Sequence, residues 1–396
     1  LMDIYQLNQQ QLLKGTRCNF QRYLYQQIQW DDRLIGIFGS QGVGKTTLLL
    51  QRIKLAFEDS DKALYLSLDS ILFQREKMIS VATQFYKAGG THLFLDNVHR
   101  YPDWINETRK LIDRCPELHI VFTSSPLLSS TKVEKGLKHK VTCYKLNTMS
   151  FREYLSFECV LDLPPMSLDD LLENHVEVSR SVNDQIVVAP IFRNYLDHGC
   201  YPFYWDDPDA YPYHLQDRVR DSIGIDTPAV YPLEYVELKE MKRLMMYISD
   251  MIPDVPSVAD MATQLKLDPA VTKKYFEYLK EAVCLRQYLV GKKSVQNRLQ
   301  KTYFSNTNLL MAFEPEFNDR AVLGETFFVD QLSTFASIEL QENNDYLVND
   351  KYTFMVGDPL MDYDRIKDTE NAFAAIYGQP KSQNNKLPIW LLGLCY

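Results

Sequence analysis

Nothing among the 396 residues is spaced to build a zinc site or a disulfide framework. The seven cysteines (Cys18, Cys115, Cys143, Cys159, Cys200, Cys284 and Cys395) are scattered, odd in number and without a C-x-x-C pair, which points to a reducing, cytoplasmic setting. Long apolar runs are also missing. The first residues, "LMDIYQLNQQQLLKG", are polar and amphipathic, with no apolar core of signal-peptide length. Leu1 is not an initiator residue, so Met2 is read as the natural start. The apolar run "LPIWLLGLCY" is about half a membrane span and reads as a final buried strand, so no membrane partner is expected. An excess of positive charge is lacking too. The formal net charge is −9, which excludes a chain basic enough to coat nucleic acid along its whole surface; any such surface must be local. No internal repeat, low-complexity tract or Gly/Ser-rich linker is found.

With 45% hydrophobic and 24% charged residues the chain is an ordinary globular protein, and its length suggests two or three domains. From residue 34 short apolar strands ("RLIGIFG", "KALYLSL", "THLFLD", "LHIVFTSS", "VTCYKL") alternate with helical patterns. One of these is the stripe Trp104, Ile105, Thr108, Leu111, Ile112 and Cys115 behind an N-cap at Asp103. That alternation predicts an α/β fold, a parallel sheet with helices on both faces, over residues 1–150. Residues 151–233 read as a helical lid and connection, closing on the Pro- and aromatic-rich "GCYPFYWDDPDAYPYH". Residues 234–305 read as three helices and a β-hairpin, the order of a winged helix-turn-helix. The first buries Val236, Met241, Leu244, Met245, Ile248 and Ile252; the second is capped at Ser257; the third opens with Asp268 and Pro269. Residues 306–396 read as a C-terminal α/β domain: a helix "GETFFVDQLSTFAS", then a hairpin "DYLVNDKYTFMVG" turning at Asn349 and Asp350.

The strongest motif is "GSQGVGKTT", Gly39 to Thr47, which matches G-x-x-x-x-G-K-[ST] between a strand and an apolar helix. Such a P-loop wraps phosphate with backbone N–H groups and the helix N-terminus. The expected nucleotide contacts are Gly39, Ser40, Gln41, Gly42, Val43, Gly44, Lys45, Thr46 and Thr47. Lys45 reaches the β- and γ-phosphates and Thr46 holds Mg²⁺. Asp96, at the end of "HLFLD", is the second expected metal residue. A glutamate general base usually follows that aspartate; here Asn97 does. An amide orients water without accepting its proton, so slow hydrolysis is expected. His99 is a candidate base, and Thr123 a candidate sensor of the γ-phosphate at the end of "IVFTSS".

"FGSQGVGKTT", "LFLDNVHRYPDW", "IVFTSS", "LNTMSFREYL" and "LDHGCYPF" together resemble landmarks of a bacterial and archaeal AAA-type P-loop ATPase family. Its members carry a winged-helix segment and a C-terminal domain of uncharacterised function. The resemblance implies ATP rather than GTP; with Mg²⁺ at the P-loop, the expected function is a nucleotide-dependent switch whose γ-phosphate contacts bias the lid and winged helix. Members usually read Asp-Glu where this chain has Asp96-Asn97. Arg152 and Arg193 are the two candidates for an arginine finger, and a partner protein or oligomer is compatible with such a family.

DNA is a second expected partner, through the winged helix. Residues 235–305 hold twelve basic and eight acidic residues. Thr272, Lys273, Lys274, Glu277 and Lys280 are expected on the exposed face of the third helix, and Lys292, Lys293, Arg298 and Lys301 on the wing. The alternative to a switch is thus a DNA-binding protein with nucleotide as a structural ligand. The last domain resembles a restriction-endonuclease-like fold, in which Glu325 and Asp345 fill two metal positions. Met355, Val356 and Gly357 stand where its remaining carboxylate and lysine belong, so a degenerate domain without nuclease activity is expected; Lys351 and Asp358 are nearby.

Overall fold

The computed structural model describes residues 2–57, 60–282, 284–289 and 300–396. Two compact units divide the chain: 1–147 with 220–238, and 148–219 with 239–396.

In the first unit five strands form one parallel sheet: β1 (Leu34–Phe38), β2 (Ala63–Ser67), β3 (His92–Asp96), β4 (His119–Ser124) and β5 (Thr142–Lys145). Their order across the sheet is β2-β3-β4-β1-β5, and every pairing is parallel. Each of the five expected strands forms where it was read. Strands β1 to β4 are buried almost throughout, as a sheet with both faces covered requires. Helix Trp104–Arg114 buries the expected stripe, with Ile105 partly covered. Asp103 stands at its start, without a side-chain cap bond. The buried Glu107 instead accepts the backbone N–H of Ile79, at the start of the helix Met78–Lys87, at 2.9 Å.

The sheet order sets the site. Strand β4 lies between β1 and β3, so the loop leaving β1 must reach past β4 to meet the end of β3. The carboxyl ends of parallel strands are where α/β folds bind ligands.

The second unit opens with the helix Phe151–Phe157. Ser150 and Glu153 close a capping box on it, and the Ser150 hydroxyl also donates to the Tyr396 carbonyl at 2.6 Å. A second five-stranded sheet comprises β8 (Ile338–Leu340), β9 (Tyr346–Val348), β10 (Tyr352–Gly357), β11 (Ala372–Ile376) and β12 (Lys386–Pro388). Its order is β12-β11-β10-β9-β8, antiparallel across β8, β9 and β10 and parallel across β10, β11 and β12. The β9–β10 turn forms as expected, with Asn349 and Asp350 both at positive φ, the demand of a tight hairpin. The helix Arg320–Leu332 is buried from Val322 to Leu332.

Helices Tyr235–Ser249, Val258–Leu265 and Pro269–Glu281 precede an antiparallel hairpin of β6 (Leu285–Leu289) and β7 (Gln300–Phe304). Ser257 and Asp268 cap the second and third helices.

Three expectations need correction. Val236 is exposed: it lies about 130° around the helix from the centre of the stripe of Met241, Leu244, Met245 and Ile248. Thr272 is buried, its hydroxyl bonded to the Asp268 carbonyl at 3.0 Å, because it shares the inner stripe with Tyr275, Phe276 and Leu279. The final apolar run is not one strand. Only Lys386–Pro388 pairs with β11; Pro388 has no N–H to continue the ladder, and Ile389–Leu394 forms a buried 3₁₀ segment. An apolar run buried on all sides has no periodicity to tell strand from helix.

The fully buried Asn308 amide joins the "LDHGCYP" stretch to the helix Thr307–Phe313. Its oxygen accepts the Cys200 N–H at 2.8 Å and the Tyr211 hydroxyl at 2.6 Å, and its nitrogen donates to the carbonyls of Tyr195 and Leu196 at 3.0 and 2.9 Å. Leucine there fills the volume and leaves these partners unpaired. Asn308→Leu is therefore expected to cost about 3 kcal/mol or more, read as a fall in Tm of several degrees; an unchanged Tm removes Asn308 as a joint.

Candidate nucleotide site

The P-loop is shaped by its glycines. Gly42 and Gly44 sit at φ of 84° and 99°, conformations that L side chains avoid. A Cβ on Gly39 would lie 2.4 Å from the Leu146 carbonyl oxygen. The loop is held from behind by Arg22, buried, which donates to the carbonyls of Val43 and, at 2.8 Å, Asn147. Helix Lys45–Ala56 begins directly after Gly44. The Lys45 ammonium bonds the carbonyls of Gly39 and Ser40 at 2.6 and 2.9 Å. Val43 is buried, whereas Ser40, Gln41, Gly42 and Thr46 are partly exposed and Thr47 is exposed.

Asp96 is the centre of the site. The chain places it, 1% exposed, at the end of β3. Its Oδ2 accepts the Thr46 hydroxyl at 2.6 Å and the Tyr65 hydroxyl at 2.8 Å, and its Oδ1 accepts the Thr123 hydroxyl. The expected metal pair, Thr46 and Asp96, is thus brought together from 50 residues apart. A buried carboxylate needs such donors, since an unpaired one is costly. Burial, and then the Asp96 carboxylate beside it, push the Tyr65 phenol far above its ordinary range, so it remains a donor. Thr123 faces Asp96 and also accepts the Asn97 N–H at 3.0 Å; its side chain is committed to holding the end of β3.

Asn97 has φ of 56°, the left-handed region that asparagine tolerates better than most L residues. Its amide nitrogen lies 3.4 Å from Asp69 Oδ2. His99 is buried with both ring nitrogens engaged: Nδ1 accepts the Ser125 N–H at 3.2 Å, and Nε2 lies 3.0 Å from Asp226 Oδ1. A backbone N–H on Nδ1 assigns the proton to Nε2, so His99 donates to Asp226 and has no lone pair to offer water.

Asp226 was missed by sequence reading. The turn Ser222–Asp226 carries it, 1% exposed, within the same unit. It accepts His99, Arg100 (Nε at 3.0 Å, Nη2 at 2.9 Å) and, on Oδ2, the Gln41 amide at 2.9 Å. Burial pushes its carboxyl up, but bonds and charge from His99 and Arg100, with the Gln41 bond, outweigh it and hold it below the ordinary carboxylate value. Tyr65, Arg22 and Asp226 give no local motif signal, because each meets the site from a distant stretch of chain; Arg100 is near Asp96 in sequence, but its partner Asp226 is not.

The remaining expected residues lie in the second unit. Arg152 is buried there, bonded to the carbonyls of Tyr396 and Leu163 at 2.9 and 3.2 Å, which withdraws it as an arginine finger. Arg193, less covered, pairs with Asp197 at 3.1 Å. Glu325 takes Lys301 at 2.6 Å and the Tyr303 hydroxyl, and Asp345 takes Arg365 and Asn343. Lys280 pairs with Glu277 at 3.0 Å. Lys292, Lys293 and Arg298 lie outside the described residues. Among the described residues no three His, Cys, Asp or Glu side chains cluster to hold a metal. Mg²⁺ with a nucleotide needs fewer, since phosphates and water fill most of its shell. Thr46 and Asp96 supply the hard oxygen donors it takes.

Two outcomes follow. Asn97→Ala is expected to destabilise by about 1 kcal/mol through the left-handed backbone, with Asn97→Gly close to neutral; urea denaturation distinguishes them. Because Asp226 is depressed in the folded state, its stabilisation is complete at neutral pH. It is lost as pH falls from the unfolded value of about 4 through the lower folded one. Asp226→Asn is expected to cost about 3 kcal/mol at pH 7, with the gap to wild type narrowing at pH 4 and further at pH 3. A gap independent of pH denies Asp226 this role.

Residues 31–155 match the family model described as an AAA domain, well under half of the chain. That stretch is similar to AAA domains, and its five-stranded parallel sheet is consistent with a P-loop NTPase core. No curated protein matches the chain. Solved structures that match include AMPPCP-bound DnaA from Aquifex aeolicus, at 17% identity over 68% of this chain and 86% of that one, with a TM-score of 0.27. A replication initiator DnaA bound to AMPPCP and single-stranded DNA matches at 18% identity over 69% and 86%, with a TM-score of 0.26. PCH-2 of C. elegans matches at 17% over 71% and 66%, with a TM-score of 0.24. At such scores these likenesses carry no argument, and the functional reading rests on the AAA-type domain and its site.

Proposed function

We propose that the protein binds ATP with Mg²⁺ at the P-loop and works as a nucleotide-dependent switch with slow hydrolysis. The observation that carries this is the bond from Thr46 to the buried Asp96, which joins the phosphate loop to the end of β3 across an intervening strand. Residues Gly39 to Thr47 would cradle the phosphates through their N–H groups. Lys45 would turn its ammonium from the Gly39 and Ser40 carbonyls to phosphate oxygens. Thr46 and Asp96 would hold Mg²⁺, which supplies charge neutralisation between the β- and γ-phosphates. The bond from Gln41 to Asp226 supports the switch: a P-loop side chain is tied to the 220–238 segment, so a loop that moves on phosphate takes that contact with it.

Binding of DNA by residues 235–305 is left out of this reading. Thr272 is buried and Lys280 and Lys301 are paired. No described helix is long and apolar enough to cross a membrane.

The test is binding of a fluorescent ATP analogue to wild type, Lys45→Ala and Asp96→Asn, with and without Mg²⁺. Wild type is expected to bind, Lys45→Ala to lose tenfold or more (about 1.4 kcal/mol), and Asp96→Asn to lose the Mg²⁺ enhancement. Equal affinity for wild type and Lys45→Ala would overturn the proposal.

A further inference from the structure

Asn97 stands where a proton-accepting side chain is wanted, and it cannot accept a proton. The neighbouring strand brings one. Ser67 pairs with Asp96 in the β2–β3 register, and the Leu68 N–H extends that pairing by donating to the Asp96 carbonyl at 2.9 Å. Leu68 is thus level with Asn97, and Asp69, one residue further along, reaches the Asn97 amide with its side chain.

Its carboxylate is held in place. Oδ1 accepts the Ser67 hydroxyl, and Oδ2 lies 3.4 Å from both Asn97 Nδ2 and Arg100 Nη1. The side chain is one-third exposed, so water reaches it. A glutamate at position 97 would extend one bond beyond the asparagine. Asp69 Oδ2 lies 3.4 Å from the Asn97 amide nitrogen. Arg100 links this carboxylate to Asp226, which it bonds through Nε and Nη2. Asp69 is thus oriented by the same side chain that anchors the P-loop partner.

We infer that Asp69 is the general base of this site, with Asn97 aligning the water. This rests on the reading of the site as an ATPase centre. In the step, the oxygen of a water molecule forms a bond to the γ-phosphorus of ATP as its proton passes to Asp69 Oδ2. The bond from the γ-phosphorus to the β–γ bridging oxygen breaks, its electron pair staying with ADP. Inorganic phosphate and ADP leave, and Asp69 returns the proton to solvent. The division of labour is a carboxylate from one strand end and an amide from the next, in place of one glutamate.

The experiment compares wild type, Asp69→Asn, Asn97→Glu and Asp69→Asn/Asn97→Glu. It measures affinity for ATP with Mg²⁺, single-turnover hydrolysis, and the nucleotide recovered from the protein after incubation with stoichiometric ATP. Asp69→Asn is isosteric and retains an amide oxygen for Ser67. It is expected to bind ATP within about threefold of wild type, to lose hydrolysis by about a hundredfold, and to retain ATP where wild type yields ADP. Asn97→Glu is expected to restore turnover in the Asp69→Asn background. Loss of an Arg100 contact alone could not be rescued from position 97. Melting temperatures of all four proteins check that the left-handed backbone at 97 accepts glutamate. If the double variant unfolds, Asp69→Glu replaces it, with turnover expected above that of Asp69→Asn. Hydrolysis by Asp69→Asn at the wild-type rate overturns this inference and leaves nucleotide binding standing. Binding without any hydrolysis in wild type also overturns it. Failure of wild type to bind ATP removes the underlying reading itself.

Discussion

The buried carboxylate of Asp96 is the constraint on which the nucleotide domain turns. A carboxylate 1% exposed at a strand end must be surrounded by donors or it destabilises the fold. Here the donors are hydroxyls from three different stretches: Thr46 at the head of the P-loop helix, Tyr65 on β2 and Thr123 on β4. Satisfying Asp96 therefore fixes the mutual positions of the loop and three neighbouring strands. The same geometry that stabilises the fold presents two hard oxygen donors side by side, so the metal site proposed there needs no separate scaffold.

A second buried carboxylate does related work one layer out. Asp226 gathers His99, Arg100 and Gln41, which connect the residues after β3 to the middle of the P-loop. The two centres differ in kind. Asp96 is met by neutral hydroxyls, which a cation can supplement. Asp226 is met by a guanidinium and two N–H donors, which leave it little to offer a metal. By this contrast the proposed Mg²⁺ belongs at Asp96, whereas Asp226 holds a loop. It also accounts for His99, whose place between Asp226 and the Ser125 N–H makes it a strut.

Much of this was legible in the sequence because it is local. The five strands, the P-loop, the caps at Ser257 and Asp268 and the Asn349-Asp350 turn each rest on signals within a few residues. What was illegible came from long-range pairing. Asp226 lies 185 residues from Gln41 and 127 from His99, and no motif marks it. Val236 and Thr272 were misplaced because a helix stripe read without its neighbours has no fixed centre. The final apolar run was misread because burial on all sides erases periodicity. Glu325 and Asp345 show the same limit from the other side. The resemblance to an endonuclease-like fold implied metal ligands there, whereas the fold gives them Lys301 and Arg365, the cationic partners that buried acids need.

Asn97 shows how a single position can answer two demands at once. The chain after β3 must turn sharply to send His99 inward, and residue 97 takes a left-handed backbone to do so. Asparagine meets that demand at less cost than glutamate. It forfeits proton transfer, yet keeps an amide that points at the carboxylate of Asp69. The substitution that looks, in the sequence, like a lost catalyst is in the structure a residue matched to its backbone and seated beside an acid. On the proposed role of Asp69, loss of the glutamate is not loss of the chemistry, because the turn that follows the neighbouring strand brings a carboxylate to the Asn97 amide.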